Sequence, residues 1–305
     1  MAVYNEAKYV KGAIDSILSQ SFKNFEFIIV DDGSTDNTNI IILEYKDDRI
    51  KLFNIEHSGL PKALNFGIKH ARSKIIARMD GDDIAISTRL EKQIEFLHNN
   101  IYCVAVGGNA EVIDKDGIIL YQQKMPELYS DIKKDFPKIS MYHSAISFRK
   151  DAFYKAGQYN EKLLTAQDQL LFNKMSTLGQ LRNLSDLVIK YRIHPSAISR
   201  RSKKHTELLN QSISRIVNES NDYSIEYNRI NNIYMFYKKN KRKKLSLYYQ
   251  NMGKIYIEKR FNRFKAFMNL IKSLFLNPIF LISWYNIMLL MLPQNIIRTI
   301  KDGDR

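Results

Sequence analysis

The chain has 305 residues, 45% of them hydrophobic and 26% charged, an ordered composition with room for one large core or for a domain carrying an appendage. Its single cysteine, Cys103, excludes an intramolecular disulfide framework and a cysteine-built zinc site, and it suits a reducing compartment, the cytosol. The net charge of +15 is unevenly spread, with 26 Lys/Arg against 25 Asp/Glu over residues 1–199 but 21 against 7 over residues 200–305, so the C-terminal part calls for an anionic surface, phospholipid or nucleic acid.

Val10, Ala13, Ile14, Ile17 and Leu18 recur at helical spacing, and the apolar run at 25–30, broken only by Glu26, predicts a strand after that helix. Lys8, Lys11 and Asp15 interrupt the first apolar stretch, which argues against an export signal. The alternation continues with strands at 50–55, 75–79 and 102–106 and helices at 61–71 and 88–98. Such alternation predicts an α/β fold, a mainly parallel sheet with helices on both faces. From residue 109 the rhythm changes: a hairpin is predicted around the turn DKDG at 114–117, then mixed helix and strand to His194. Beyond residue 200 the pattern is helical and basic, with KKNKRKK at 238–244. Residues 273–297 carry no charge, but Pro278 and Pro293 bracket an apolar core of 14 residues at 279–292, too short for a bilayer span and suited to an interfacial segment.

Neither G-x-G-x-x-G nor G-x-x-x-x-G-K-[ST] occurs, so the dinucleotide fingerprint and the P-loop are excluded. Acids gather instead where strands end. In ARMDGDDIAIS (77–87), Asp80, Asp82 and Asp83 crowd within four residues. Two like charges 4 Å apart repel by about 1 kcal/mol in water and about 4 kcal/mol at an effective dielectric near 20. Arg78 and Arg89 are available to neutralise them, and a hard divalent cation with oxygen ligands is the other solution. In VDDGSTDNT (30–38) the strand delivers Asp31 and Asp32 into a glycine turn, and Ser34, Asp36 or Asn37 can cap the next helix. Asp168 opens a helix in TAQDQLLF (165–172), where the helix dipole alone accounts for an acid, and His194 precedes a proline in YRIHPS (191–196).

Taken together, AVYNEAKYVKGAIDSILSQSF, FEFIIVDDGSTDNT, SGLPKALNFGI, ARMDGDDIAISTRLEKQIEFL, HSAISFRKDAFYKAGQYNE, AQDQLLF and YRIHPSAIS, in this order, resemble a family 2 glycosyltransferase with the GT-A fold, of the bacterial polysaccharide, capsule or lipopolysaccharide type. The resemblance covers roughly residues 1–200, with a nucleotide-binding half at 1–108 and an acceptor half at 109–200, followed by a basic helical, membrane-associating tail at 201–305. It implies that Tyr4 and Asp32 contact the nucleotide base, that Asp80 lies near the ribose, and that Ala2, Glu6 and Arg78 belong to the same nucleotide-sugar site. It implies Asp82 as the ligand of Mn2+ or Mg2+, His194 near the diphosphate as a further metal ligand, and Asp168 as the catalytic base.

The implied reaction is inverting transfer from a nucleotide-diphosphate sugar, UDP-linked by family habit, to a hydroxyl of a glycan or lipid-linked acceptor. The implied setting is cytoplasmic, peripheral to the inner face of the plasma membrane, with an anionic lipid surface as partner and no nucleic acid. Two departures stand out. Gln167 occupies the place of an acid that usually precedes the base, and the family's first strand precedes AVYNE, so an upstream start is expected. The competing readings are a sugar nucleotidyltransferase, whose Gly-rich basic loop YNEAKYVKG lacks, and a non-catalytic nucleotide-sugar-binding or scaffold protein. The tail's own alternative is a helical cap packed on the domain.

Overall fold

The computed structural model describes residues 1–196, 202–218, 223–259, 262–278 and 281–290. The charge boundary at 200 and the ends of the apolar core at 279–292 lie outside the described residues. The chain divides into two compact units: the first comprises Met1–Val112, Gln122–Arg192 and Glu207–Asn232, the second Ile113–Tyr121, Ile193–Thr206 and Ile233–Arg305. The division thus differs from a cut at residue 200. Hydrogen bonds from Asn160 Nδ2 to Tyr227 Oη (2.8 Å) and from Leu164 N to Asn231 Oδ1 (2.8 Å) hold part of the basic region to the first unit.

The first unit starts with β1 (Ala2–Val3), α1 (Val10–Leu18), β2 (Phe27–Asp31), α2 (Thr38–Leu43), β3 (Ile50–Asn54) and α3 (Leu60–His70). Strands β1, β2 and β3 form a parallel sheet in that order. All of β2 is buried because both its faces are covered. Ile28 and Val30 pack with Ala63, Leu64 and Ile68 of α3, while Phe27 and Ile29 pack with Val10, Ala13, Ile14 and Ile17 of α1. A strand covered on both sides reads as a continuous apolar run, which is how it is written in the sequence.

The second sheet has six strands: β4 (Ile75–Ala77), β5 (Ile84–Ala85), β6 (Cys103–Ile113), β8 (Ser147–Arg149) and β9 (Gln180–Arg192) in the order β4-β8-β6-β9-β5, and β7 (Ile119–Gln123) paired with β6 off that path. Its β4–β8, β6–β8 and β5–β9 pairs are antiparallel, unlike the parallel pairs of β1, β2 and β3. Helix α4 (Arg89–Asn99) precedes β6. That strand runs seven residues beyond the predicted stretch, through Gly107 and Gly108. A Cβ at Gly108 would come within 2.7 Å of Val188 Cγ1 on β9, so the glycines mark close strand packing where the sequence suggested a break.

The DKDG turn forms as expected: Asp114 N donates to Ile118 O (2.9 Å), Gly117 takes a φ of 87°, and β7 (Ile119–Gln123) follows. Strand β1 has only two residues. It pairs with β2 and makes a single bridge from Ala2 to Asp80, and a cavity of about 620 Å³ lined by Met1, Ile28, Leu64 and Ile76 runs beside it.

After β7 the first unit continues with α5 (Tyr129–Lys134), α6 (Lys150–Lys155) and α7 (Gln167–Met175), and α8 (Lys203–Asn218) and α9 (Ser224–Lys239) follow β9. The second unit contains α10 (Lys241–Glu258), α11 (Arg263–Leu276) and α12 (Leu281–Leu290). Among the described residues no helix is long and apolar enough to cross a membrane.

Candidate active site

The carboxyl ends of β1 and β2 and the turn after β4 meet at one rim. Gly81 makes this possible, since a Cβ there would lie 2.9 Å from Val3 Cγ1 and 3.4 Å from Glu6 Cγ. In the turn after β4, Asp80, Asp82 and Asp83 each place a carboxylate oxygen within 4.8 Å of the others. Their crowding is met by arginines from three elements. Arg78, buried, binds both oxygens of Asp80 through its guanidinium. Arg89, at the start of α4, lies fully buried beneath the turn, donating to the carbonyls of Arg78 (2.5 Å) and Ser144 (3.0 Å). Arg192, at the end of β9, donates its backbone N–H to Asp83 Oδ1 (2.6 Å) and its Nε–H to the Asp82 carbonyl (2.7 Å).

The ionisation of these groups records the competition. Burial pushes Asp83 well up, with the charges of Asp82 and Asp80 adding to the effect. Asp80 is also raised by burial, with Arg78 opposing and Asp82 and Asp168 reinforcing. Burial opposes the charge of Arg78, but the facing Asp80 more than offsets this and raises its pKa. Arg89, surrounded by backbone and not by a paired acid, falls to about 9 through burial and the neighbouring Arg78. Glu6 is pushed up to about 8 by burial and then by Asp82, Asp80 and Asp36. An all-carboxylate set of this spacing fits a hard divalent cation, and the buried Asp83 Oδ2 has no hydrogen-bond partner.

The β2 end holds the second cluster. Asp32, buried, accepts hydrogen bonds from Ser58 N (2.8 Å) and Ser58 Oγ (3.0 Å) on one oxygen and from Gly59 N (2.9 Å) on the other, which also faces His57 Nδ1 at 3.0 Å. It therefore fastens the loop that opens α3. Tyr4, 42% exposed, stacks on the His57 ring with centroids 4.0 Å apart and planes at 21°. Asp31 is a turn residue, accepting from Ser34 N (2.9 Å) and Asn39 Nδ2 (3.1 Å). Asp36 accepts from Thr38 N (2.9 Å) and Ala7 N (3.1 Å), while the N-cap of α2 is Asn37, whose side chain makes no capping bond.

Asp168 sits in the first turn of α7, after Ala166 in a left-handed conformation, and its charge bears on Arg78, Asp80 and Tyr159. On either side of it, Gln167 and Gln169 bury side-chain oxygens without hydrogen-bond partners. Ala2, Tyr4, Glu6, Arg78, Asp80 and Asp82 thus come together around the rim. His194 belongs to the second unit, where it is buried with Nδ1 2.9 Å from Ser196 Oγ.

Sequence reasoning assigned no role to His57, Ser144, Arg192 or the pair formed by His143 Nε2 and Tyr159 Oη (2.7 Å). Ser144, Tyr159 and Arg192 lay inside motifs already quoted. Only the fold shows that Ser144 Oγ accepts from Asp80 N (3.0 Å).

The model of glycosyl transferase family 2 matches residues 1–157. This chain belongs to that family. The family 2 chain is 31% identical over 220 residues to the O-antigen biosynthesis glycosyltransferase WbnJ of Escherichia coli, covering 70% of this chain and 85% of WbnJ. It is 32% identical over 217 residues to an uncharacterized glycosyltransferase of Rickettsia bellii, and 34% identical over 203 residues to one of Rickettsia typhi. The matches cover 68% and 63% of this chain but only 31% and 62% of those relatives, so the chain spans less than two thirds of their length.

Among solved structures, S. aureus TarS 1–349 in complex with UDP-GlcNAc aligns with a TM-score of 0.56 at 18% identity, over 90% of this chain and 89% of that one. The mannosyltransferase PcManGT from Pyrobaculum calidifontis, in complex with GDP-Man and Mn2+, aligns with a TM-score of 0.53 at 15% identity, over 91% and 85%. The architecture is that of the GT-A glycosyltransferases.

Proposed function

We propose that this chain transfers a sugar, with inversion, from a nucleotide-diphosphate sugar to a hydroxyl of a glycan or lipid-linked acceptor in cell-surface polysaccharide synthesis. The observation that carries the reading is the convergence of three carboxylates, Asp80, Asp82 and Asp83, at a rim shared with the Tyr4–His57 stack. Asp82 in that set would hold a divalent ion, Mn2+ or Mg2+, which when bound would supply positive charge to the leaving diphosphate.

The chain's own residues do the rest. Tyr4, exposed on His57, offers a π-face to the base, and Asp32 holds the loop at 57–59 in place for it. Arg78 and Asp80 fix each other and present a rigid edge to the ribose side. Asp168 takes the proton of the acceptor hydroxyl as its oxygen bonds to the anomeric carbon, and the electron pair of the broken C–O bond departs with the diphosphate. One base and one displacement give inversion. The unpartnered buried oxygens of Gln167 and Gln169 favour a polar, hydroxyl-bearing acceptor beside that base.

The nucleotide sugars named for TarS and PcManGT carry different bases, uracil and guanine, so the UDP preference is the point to test. The reaction is placed in this proposal at the inner face of the plasma membrane, where lipid-linked acceptors sit. The deciding experiment screens a panel of UDP-, GDP- and dTDP-sugars with Mn2+ for thermal protection and then for product. Protection by one donor and release of free nucleoside diphosphate are expected. Release of pyrophosphate when the chain is given a nucleoside triphosphate and a sugar 1-phosphate, with no nucleoside diphosphate released from any nucleotide sugar, would convert the reading to a nucleotidyltransferase, and no protection by any donor would remove the transferase reading.

A further inference from the structure

We propose that the outward face of α11 is a docking surface for anionic phospholipid. The helix carries apolar side chains on two sides, one turned to its neighbours and one exposed. Ala266, Leu270, Ser273 and Leu274 are buried, and Gly253 of α10 lets that side approach closely, since a Cβ there would meet Leu270 Cγ at 2.6 Å. Three buried serines fasten the helices together, with Ser246 Oγ 3.0 Å from Ser273 Oγ and Ser273 Oγ 3.1 Å from Ser283 Oγ. The inward face of α11 is therefore satisfied.

The opposite face holds Phe264, Phe267, Met268, Ile271 and Phe275, exposed by 74, 43, 40, 40 and 81%. These positions fall within roughly 100° of arc at 3.6 residues per turn, a continuous stripe about 20 Å long. That stripe is too short to span a bilayer and of the right form to lie in its interface. On the flank between the two faces stand Lys265 and Lys272, whose ammonium groups lie over the rings of Tyr256 and Tyr249 on α10, at 5.6 and 5.5 Å. Helix α12 adds the half-exposed Ile282, Trp284, Tyr285 and Met288.

Charge selects the occupant. Residues 200–305 carry 21 Lys/Arg against 7 Asp/Glu, including the run 241–244 that opens α10. The core of a protein interface is depleted in lysine, whereas aromatic side chains flanked by lysines are what a headgroup region with negative surface potential takes up. The sequence placed the anchor at 279–292; the structure puts the larger exposed stripe one helix earlier. The inference stands on α10–α12 alone and is independent of the chemistry proposed at Asp82.

Flotation of the full chain with phosphatidylcholine vesicles, with or without phosphatidylglycerol, tests it, using the emission of Trp284, the only tryptophan, as a second readout. The expected result is flotation and a blue shift with phosphatidylglycerol only, weakened by salt, and a drop of about tenfold or more in partitioning for the Phe264→Ser/Phe275→Ser double variant. Unchanged melting and unchanged protection by Mn2+ in that variant confine the loss to the surface. Failure of the wild-type chain to float would overturn the proposal. So would a double variant that floats like wild type, RNA binding without vesicle binding, or a dimer that dissociates on the double substitution while no vesicle is bound.

Discussion

Replacing Arg89 by methionine removes the cation beneath the acidic turn while keeping most of the side chain's length. In the native structure its guanidinium donates to the carbonyls of Arg78 (2.5 Å), Ser144 (3.0 Å) and Ile146 (3.4 Å), with Nε bonded to Gln93 Oε1 (3.1 Å). Ile146 O also accepts from Arg78 N at 2.9 Å, so two carbonyls, those of Arg78 and Ser144, stand to lose most. A buried acceptor left unpaired costs about 1–3 kcal/mol, against which the relief from desolvating a guanidinium, already visible in its lowered pKa of about 9, must be set. The net is a destabilisation of about 2–4 kcal/mol, or a fall in Tm of roughly 5–15 °C for a domain of this size.

Thermal unfolding followed by circular dichroism reads this directly. Arg89→Lys, which keeps the charge but reaches fewer carbonyls, should fall between the two. A methionine variant melting within about 2 °C of wild type would refute the reasoning, because it would mean that the carbonyls under the turn find other partners at no cost.

Asp82→Ala should abolish the thermal shift produced by Mn2+. Asp168→Asn should leave that shift and donor protection intact while lowering kcat by roughly 10²- to 10⁴-fold; retention of turnover would remove Asp168 as the base. Tyr4→Ala should weaken the nucleotide by roughly 5- to 150-fold, the span of one base–aromatic stack, measured by calorimetry with the free nucleoside diphosphate, and an unchanged Kd would take the base away from the Tyr4–His57 pair. Glu26 is held down to about 2, since Lys51 and the backbone and side chain of Arg72 overcome the effect of burial. Its folded pKa lies below its unfolded one, so its contribution is present above the ordinary carboxylate range near 4.5 and is lost as pH falls from there toward 2. Glu26→Gln should accordingly cost about 1–2 kcal/mol at pH 7, with the gap to wild type closing in acid; a gap independent of pH would show that the loss is packing.

The parts of the fold written locally were legible. Helix α1 begins and ends where its apolar spacing does, because Val10, Ala13, Ile14 and Ile17 all face the same core. The continuous apolar run of β2 announced burial on both sides. The length of β6 was not legible, since Gly108 within it packs on Val188, eighty residues later on β9, and no local pattern carries that information. The antiparallel pairing of β4 has the same origin: β4 finds β8, whose three residues gave no strand signal of their own. Within the site, residues of charged type stood out, while those acting through a backbone group or a hydroxyl did not.

Arg192 is the clearest instance. It stands two positions before the histidine that drew attention in YRIHPS, yet it is the arginine's N–H that reaches Asp83 and its Nε–H that reaches the Asp82 carbonyl.

Three acids within four residues read from the sequence as a demand for countercharge, and the structure divides the answer unequally. Arg78 pairs with Asp80 alone. Arg89 donates to backbone carbonyls and to Gln93, and Arg192 meets Asp83 through its backbone amide. No guanidinium is bonded to the Asp83 carboxylate in these contacts, and burial together with Asp82 and Asp80 drives that carboxyl well above its usual range. A fold that required only stability could neutralise this turn with one further arginine or replace Asp83 by asparagine, which keeps the bond from Arg192 N. Retaining the acid in a low-dielectric position keeps an electrostatic cost that a bound divalent cation can relieve, so the same repulsion that weakens the isolated chain should strengthen its hold on the ion.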